Sequence, residues 1–341
     1  MNKLFLSIAI VLCNVYLNAQ TQLNVPQASQ FSSVTQRIGI TDITITYHSP
    51  LAKGRVIWGT IVPYNDVWRA GANESTTITF TNDVKIEGKA LAAGTYGLHM
   101  IPTQKEWTVI FSKNAGAWGS FFYNQQEDAL RATVTPKAVP MQDWLSYSFA
   151  EPKEQSVLAV LQWEKIAVPF KIEVDVPETV VQNMRKELTG LNGFFWQGYN
   201  QAAAYCIRNN VYLDEAAAWV DRSIGIQKNF SNLTTKATLL EKQGKKSTAD
   251  SLRKQAFPLA DENQVNTYGY ELMGAGKVKE AIEIFKLNVK KFPNSWNVFD
   301  SLAEALNTSG DKKGAIDNYK IALAKAPENQ KKRIEGIIKT L

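Results

Sequence analysis

The sequence has 341 residues, of which 45% are apolar and 21% charged, and a formal net charge of +6. That length allows two or three domains. The composition excludes a collagen-like, coiled-coil, low-complexity or multi-span membrane chain, and it names no reaction.

Met1 to Ala19 carries Lys3 ahead of an apolar run from Leu4 to Leu17, broken by Ser7, Cys13 and Asn14, and ends Leu17-Asn18-Ala19. This is the layout of a secretory signal peptide, and the run is short for a membrane span. Leu12 precedes Cys13 where a lipoprotein signal needs a small residue. The expectation is plain export, periplasmic or secreted, with cleavage near Ala19. No later stretch approaches ~18 consecutive apolar residues, so no transmembrane segment is expected in the mature chain. Cleavage removes Cys13 and leaves Cys206 within Ala202-Ala203-Ala204-Tyr205-Cys206-Ile207, an apolar helical face. A single thiol there reads as a buried structural residue rather than a nucleophile. Two histidines, His48 and His99, and one cysteine do not supply a closed zinc site, so neither metal nor cofactor is expected.

From 20 to 176 the signal is alternation. Ile43, Ile45 and Tyr47 alternate with Thr44, Thr46 and His48, and the style continues in 76–80, 107–111, 146–149 and 157–163. β-Branched and aromatic residues at period two are strand-like. Asn82-Asp83, Glu87-Gly88-Lys89, Ala93-Gly94 and Pro102-Thr103-Gln104 punctuate them as turns. Many short strands at such spacing predict an all-β antiparallel sandwich or barrel, and the sandwich is the fold expected here.

After Pro177 the apolar period lengthens to three or four. Residues 177–193 read as a connecting helix and linker, and 194–341 as helical repeats. Ala281, Phe285 and Pro293 return at one common offset as Ala315, Tyr319 and Pro327, and Gly269 returns at the same offset as Ala303. This register resembles the tetratricopeptide (TPR) repeat, which implies small residues where paired helices approach and an all-α solenoid of helical hairpins. About four hairpins and a closing helix around 328–339 are expected, with Lys331-Lys332-Arg333 on a polar cap. Residues 20–176 carry a net charge of −1 and 177–341 a net +6. Dispersed lysines on helix faces read as solvation, so no nucleic-acid partner is expected.

The densest polar-aromatic cluster runs from Tyr47 to Phe80. It holds Lys53-Gly54-Arg55-Val56-Ile57-Trp58-Gly59, Tyr64, Asp66 and Trp68-Arg69-Ala70-Gly71-Ala72-Asn73-Glu74; Ala93-Gly94-Thr95-Tyr96, His99 and Trp118-Gly119-Ser120-Phe121 come further on. On these segments residues 25 to 170 resemble the DUF2911 family of exported bacterial proteins. The resemblance implies a β-rich domain beside helical repeats and no assigned activity.

The residues admit three readings. In the first, Arg55 and Arg69 hold a carboxylate or phosphate by forked hydrogen bonds while Trp58 and Trp68 stack on an apolar or sugar face. Tyr64, Asn73, Glu74, His99 and Trp118 complete that candidate ligand site. In the second, the rings plug one end of the sandwich, with Arg69 paired to Glu74 or Asp66 beneath them. In the third, Glu74, Asp66 or His99 acts as acid or base with Arg69 stabilising charge, although no known nucleophile, zinc or phosphate-loop motif is present. The leading expectation is an exported interaction protein. Its helical repeats dock a protein or peptide, and its β domain offers an Arg/Trp-lined pocket for a glycan or anionic small molecule. The alternative is a hydrolase of envelope glycan or peptide.

Overall fold

The computed structural model describes residues 25–341. The expected signal segment, Met1–Ala19, lies outside the described residues. Contacts divide the chain into two compact units that meet in sequence at Val176 and Pro177.

Among the described residues the first unit contains ten strands: β1 (Gln30–Ile38), β2 (Thr41–Ser49), β3 (Thr77–Phe80), β4 (Val84–Ile86), β5 (Lys89–Leu91), β6 (Gly94–Ile101), β7 (Trp107–Ser112), β8 (Asp128–Val134), β9 (Lys137–Lys153) and β10 (Ser156–Glu173). They form a six-stranded sheet in the order β1-β2-β3-β6-β7-β8 and a four-stranded sheet in the order β5-β4-β10-β9. Every pairing is antiparallel. The alternation in β2 is used as expected: Ile43, Ile45 and Tyr47 are buried while the residues between them are half-buried. They share one core with Val157, Leu161 and Phe170 of β10, so the inward faces of both sheets build a single interior. β10 changes partner along its length. Its last pair with β9 is Ala167 with Lys137, and its first with β4 is Ile172 with Ile86. Pro169 falls between the two, where a missing N–H disturbs neither ladder.

The second unit is helical: α1 (Val176–Glu187), α2 (Trp196–Asn209), α3 (Leu213–Ile226), α4 (Phe230–Lys242), α5 (Lys246–Ala256), α6 (Glu262–Gly274), α7 (Val278–Lys291), α8 (Trp296–Thr308), α9 (Lys312–Lys325) and α10 (Glu328–Thr340). Helices α2/α3, α4/α5, α6/α7 and α8/α9 are four antiparallel hairpins, and α10 closes the stack as expected. Capping explains several of the starts. Asn229 and Asp261 each accept from the backbone N–H three residues on, and Asn232 and Gln264 return the bond. Gly276 and Gly310, equivalent positions of successive repeats, turn α6 into α7 and α8 into α9 with φ of 73° and 89°, a conformation costly for any residue with a Cβ. Burial obeys the repeat: Ala281, Phe285, Ala303 and Ala315 are fully buried and Tyr319 nearly so.

Candidate functional site

The segment between β2 and β3, residues 50–76, forms no regular strand, yet it is held closely. Beyond the first residue of β3, Trp68 takes its place beside β6. Its N–H donates to the Met100 carbonyl and its carbonyl accepts from the Met100 N–H, both at 2.8 Å. Further along, the Ala70 carbonyl accepts from the buried hydroxyls of Thr76 and Tyr147, at 3.2 and 2.9 Å. These bonds fix the intervening Arg69.

Trp58, Trp107 and Trp163 are core rather than a stacking platform, and Trp68 is half-buried against them. Trp58 is buried edge-on against Trp68, Trp107 and Trp163, with centroids 5.7, 4.8 and 5.8 Å away, and Trp68 stacks on Trp163 at 6.0 Å. Trp107 and Trp163 come from different sheets, so the cluster joins the layers at one end, as the packing reading expected. Tyr64 is half-buried against the same core. The expectation that Trp58 offers its face to a ligand is corrected: burial of a large ring outweighed it.

The two arginines do not act together. Arg55 is exposed, and its guanidinium donates to the carbonyls of Ala52 and Leu51, which closes a local turn. Arg69 donates to the Asn73 carbonyl at 2.5 Å and lies 5.7 Å from the centre of the Phe121 ring. Neither Glu74 nor Asp66 pairs with it. Glu74 instead meets His48 at 2.8 Å, and Asn73 donates to Gln27 at 3.0 Å and approaches the other nitrogen of His48 at 3.3 Å. The half-buried His48 is therefore a hub for both residues. Arg69 lacks a carboxylate among the described residues, and burial draws its pKa below the ordinary value.

A pocket of 210 Å³ opens beside Arg69, lined by Asp66, Trp68, Ser120 and Phe121 together with Pro63 and Val67. Ser120 and Phe121 arrive on the segment after β7, and Gly119 makes the approach possible. A Cβ at Gly119 would stand 2.6 Å from the Arg69 guanidinium. Trp118, on the same segment, is exposed and lines none of this pocket. Ser120 and Phe121 lay within a conspicuous motif of the sequence; only the glycine between aromatic and hydroxyl hinted at a close approach.

His99 is 2% exposed beneath this segment, with Nδ1 2.9 Å from the Ser120 hydroxyl. Burial holds its pKa down to about 4, Arg69 adds to the effect and Asp128 opposes it. The imidazole is neutral at pH 7 and its visible role is to fasten Ser120. Glu74, Asp66 and His99 thus fail to converge as an acid–base set: one is tied to His48, one lines the pocket and one is sealed. Cys206 is fully buried and its thiol is pushed up to about 11, first by burial and then by Glu215, which leaves it inert. Among the described residues no His, Cys, Asp and Glu cluster suits a metal ion, and no helix is long and apolar enough to cross a membrane.

The helical unit carries a larger depression of 610 Å³. It is lined by three triplets at i, i+4 and i+8 on the first helices of successive hairpins: Asn200, Ala204 and Arg208 of α2; Phe230, Thr234 and Thr238 of α4; Asn263, Thr267 and Glu271 of α6. Each triplet is one face of one helix.

Residues 29–172 match the family model described as protein of unknown function (DUF2911). That match spans most of the β unit. No curated protein matches the chain. Among solved structures, similarity is found to YrrB, a TPR protein with an unusual peptide-binding site, at 17% identity over 48% of this chain and 84% of that one, TM-score 0.28. MamA is similar at 15% identity over 45% and 83%, TM-score 0.29. The C-terminal part of a TPR repeat-containing protein from Cytophaga hutchinsonii is similar at 16% over 44% and 60%, TM-score 0.30. Likenesses at this level assign no function. Beyond the matched residues the chain is a TPR-like stack, on the internal evidence of the repeat register and the helix pairs that obey it.

Proposed function

We propose that the protein is exported and works as an interaction protein, whose helical unit holds an extended segment of a protein or peptide partner. One observation carries the reading: three successive first helices turn their i, i+4, i+8 faces into one polar groove. Stacked hairpins make elongated concave surfaces of this kind. The groove chemistry suits a peptide backbone. Thr234 and Thr238 donate their hydroxyl protons back to the carbonyls of Phe230 and Thr234, at 2.9 and 3.0 Å, so their lone pairs remain for incoming N–H groups. Export rests on the basic start and apolar run of residues 1–19.

The test is a peptide-display selection on the full chain, followed by titration of the selected peptides against wild type and Thr238→Arg. Thr238 is exposed, so the substitution fills the groove without touching the core. Binding should fall by about ten-fold or more, the equivalent of one good contact or clash. Unchanged binding to the variant, or no selected peptide, sinks the groove. Export is read separately: the protein recovered from the cell envelope or medium should begin near Gln20, and a cytoplasmic chain that retains Met1 overturns it.

A further inference from the structure

The pocket of the β unit contains two opposite charges that do not neutralise each other. Asp66 and Arg69 both line its 210 Å³. Asp66 is exposed and makes no ion pair or hydrogen bond among the described residues, and Arg69 spends a single hydrogen bond, on the Asn73 carbonyl. A partly buried guanidinium has five donors in a fork suited to a carboxylate, and leaving most of them unpaired is costly. The remaining wall is aromatic. Trp68 is fixed by its backbone pair with Met100 and by its stack on Trp163. Phe121 stands at the mouth, 76% exposed, with its ring over the guanidinium. A ligand laid against the Phe121 ring would remove apolar surface from solvent. The volume is below the roughly 300–1,000 Å³ of pockets for drug-sized molecules, so the occupant is small.

We propose that this pocket binds a free α-amino acid with an aromatic or large aliphatic side chain. The carboxylate takes the Arg69 fork, the ammonium faces Asp66, and the side chain covers Trp68 and Phe121. A zwitterion bridges the two unpaired charges at once, which a simple anion does not: it would satisfy Arg69 and meet repulsion from Asp66. The site lies wholly within the β unit, so it stands or falls independently of the helical groove.

The experiment is calorimetric titration of the full chain with phenylalanine, with 3-phenylpropionate, which lacks the ammonium, and with 2-phenylethylamine, which lacks the carboxylate. Phenylalanine should bind, and each analogue should bind at least about ten-fold more weakly, the scale of one lost charge contact. Asp66→Asn should weaken phenylalanine by a similar factor and leave 3-phenylpropionate unchanged or tighter. Arg69→Gln should abolish both. Because Arg69 also braces the Asn73 carbonyl, Asp66→Asn, at an exposed position, carries the test if Arg69→Gln fails to fold. Equal affinity for phenylalanine and 3-phenylpropionate overturns the proposal, as does an Asp66→Asn protein that binds phenylalanine like wild type. So does the absence of binding by phenylalanine, tryptophan and leucine up to about 10 mM, a concentration at which even a weak specific contact registers.

Discussion

Gly269 of α6 lies directly against the ring of Phe285 in α7: a Cβ on the glycine would come within 2.5 Å of two ring atoms. One repeat later Ala303 of α8 and Tyr319 of α9 stand at the equivalent positions, both buried in one apolar cluster. In a solvent-exposed helix Gly269→Ala would gain about 1 kcal/mol from propensity. Here the methyl group meets an aromatic ring packed on all sides, and overpacking of this kind costs about 1–3 kcal/mol. Gly269→Ala is therefore expected to lower stability, read as the midpoint of denaturant unfolding of the helical unit. A rise in that midpoint would show that Phe285 moves aside freely.

The four clustered indoles differ in one respect. Trp107 donates its N–H to the Thr103 carbonyl at 3.1 Å, whereas the Trp58 N–H is buried with no partner among the described residues. Replacement by Phe leaves a gap in either case, but only at Trp107 does it also break a hydrogen bond and strand a carbonyl. Trp107→Phe is expected to destabilise by about 1–2 kcal/mol more than Trp58→Phe. Equal losses in urea unfolding would mean that the Trp58 N–H is satisfied in solution.

His99 makes stability depend on pH. Its folded pKa of about 4 lies below the unfolded 6.5, so between these values the unfolded chain takes up the proton and the folded chain does not. Stability contributed by neutral His99 is full above pH 6.5, declines as pH falls toward 4, and is flat below. The span corresponds to up to about 3 kcal/mol. Unfolding free energies of wild type and His99→Gln should converge or cross as pH is lowered through this window, because other groups titrate alike in both. Parallel curves would refute a neutral buried imidazole.

The closing helix is fastened by charge as well as by Ile334. Arg333 of α10 donates to both carboxylate oxygens of the buried Asp300 in α8, each at 2.9 Å. Burial still raises the Asp300 pKa despite Arg333, which identifies the carboxylate as a group that depends on its partner. Arg333→Met should cost about 1–3 kcal/mol by leaving that carboxylate unpaired. Adding Asp300→Leu should recover most of the loss, since an apolar pair of similar volume avoids the desolvation cost. Thermal unfolding of the single and double variants measures this, and additive losses would exclude coupling.

Legibility in the sequence tracked the range of the interaction. Ile43, Ile45 and Tyr47 announced a half-buried strand because the period is written in neighbouring residues. Ala281 and Ala315 announced stacked hairpins because the same contact recurs at the same place in the next repeat. Arg69 and Glu74 are only five positions apart and looked like a pair. The left-handed backbone at Ala70 and Asn73, with φ of 50° and 55°, turns that segment so that Glu74 reaches His48 and Arg69 reaches the segment after β7.

The sequence alone therefore determined two units of different periodicity, the strand faces, the hairpin count and the spacing of small residues against rings. Each of these stems from backbone geometry repeated along the chain. The tertiary structure decided which of the candidate residues share a pocket: it kept Trp68 and Arg69, joined them to Asp66, Ser120 and Phe121, and placed Arg55, Trp58, Glu74, His99 and Trp118 elsewhere. Those partnerships depend on loops closed by single hydrogen bonds between distant parts of the chain, such as Tyr147 to Ala70 and His99 to Ser120. Which donor meets which acceptor is set by the packed sheets that carry them, and no local pattern encodes it.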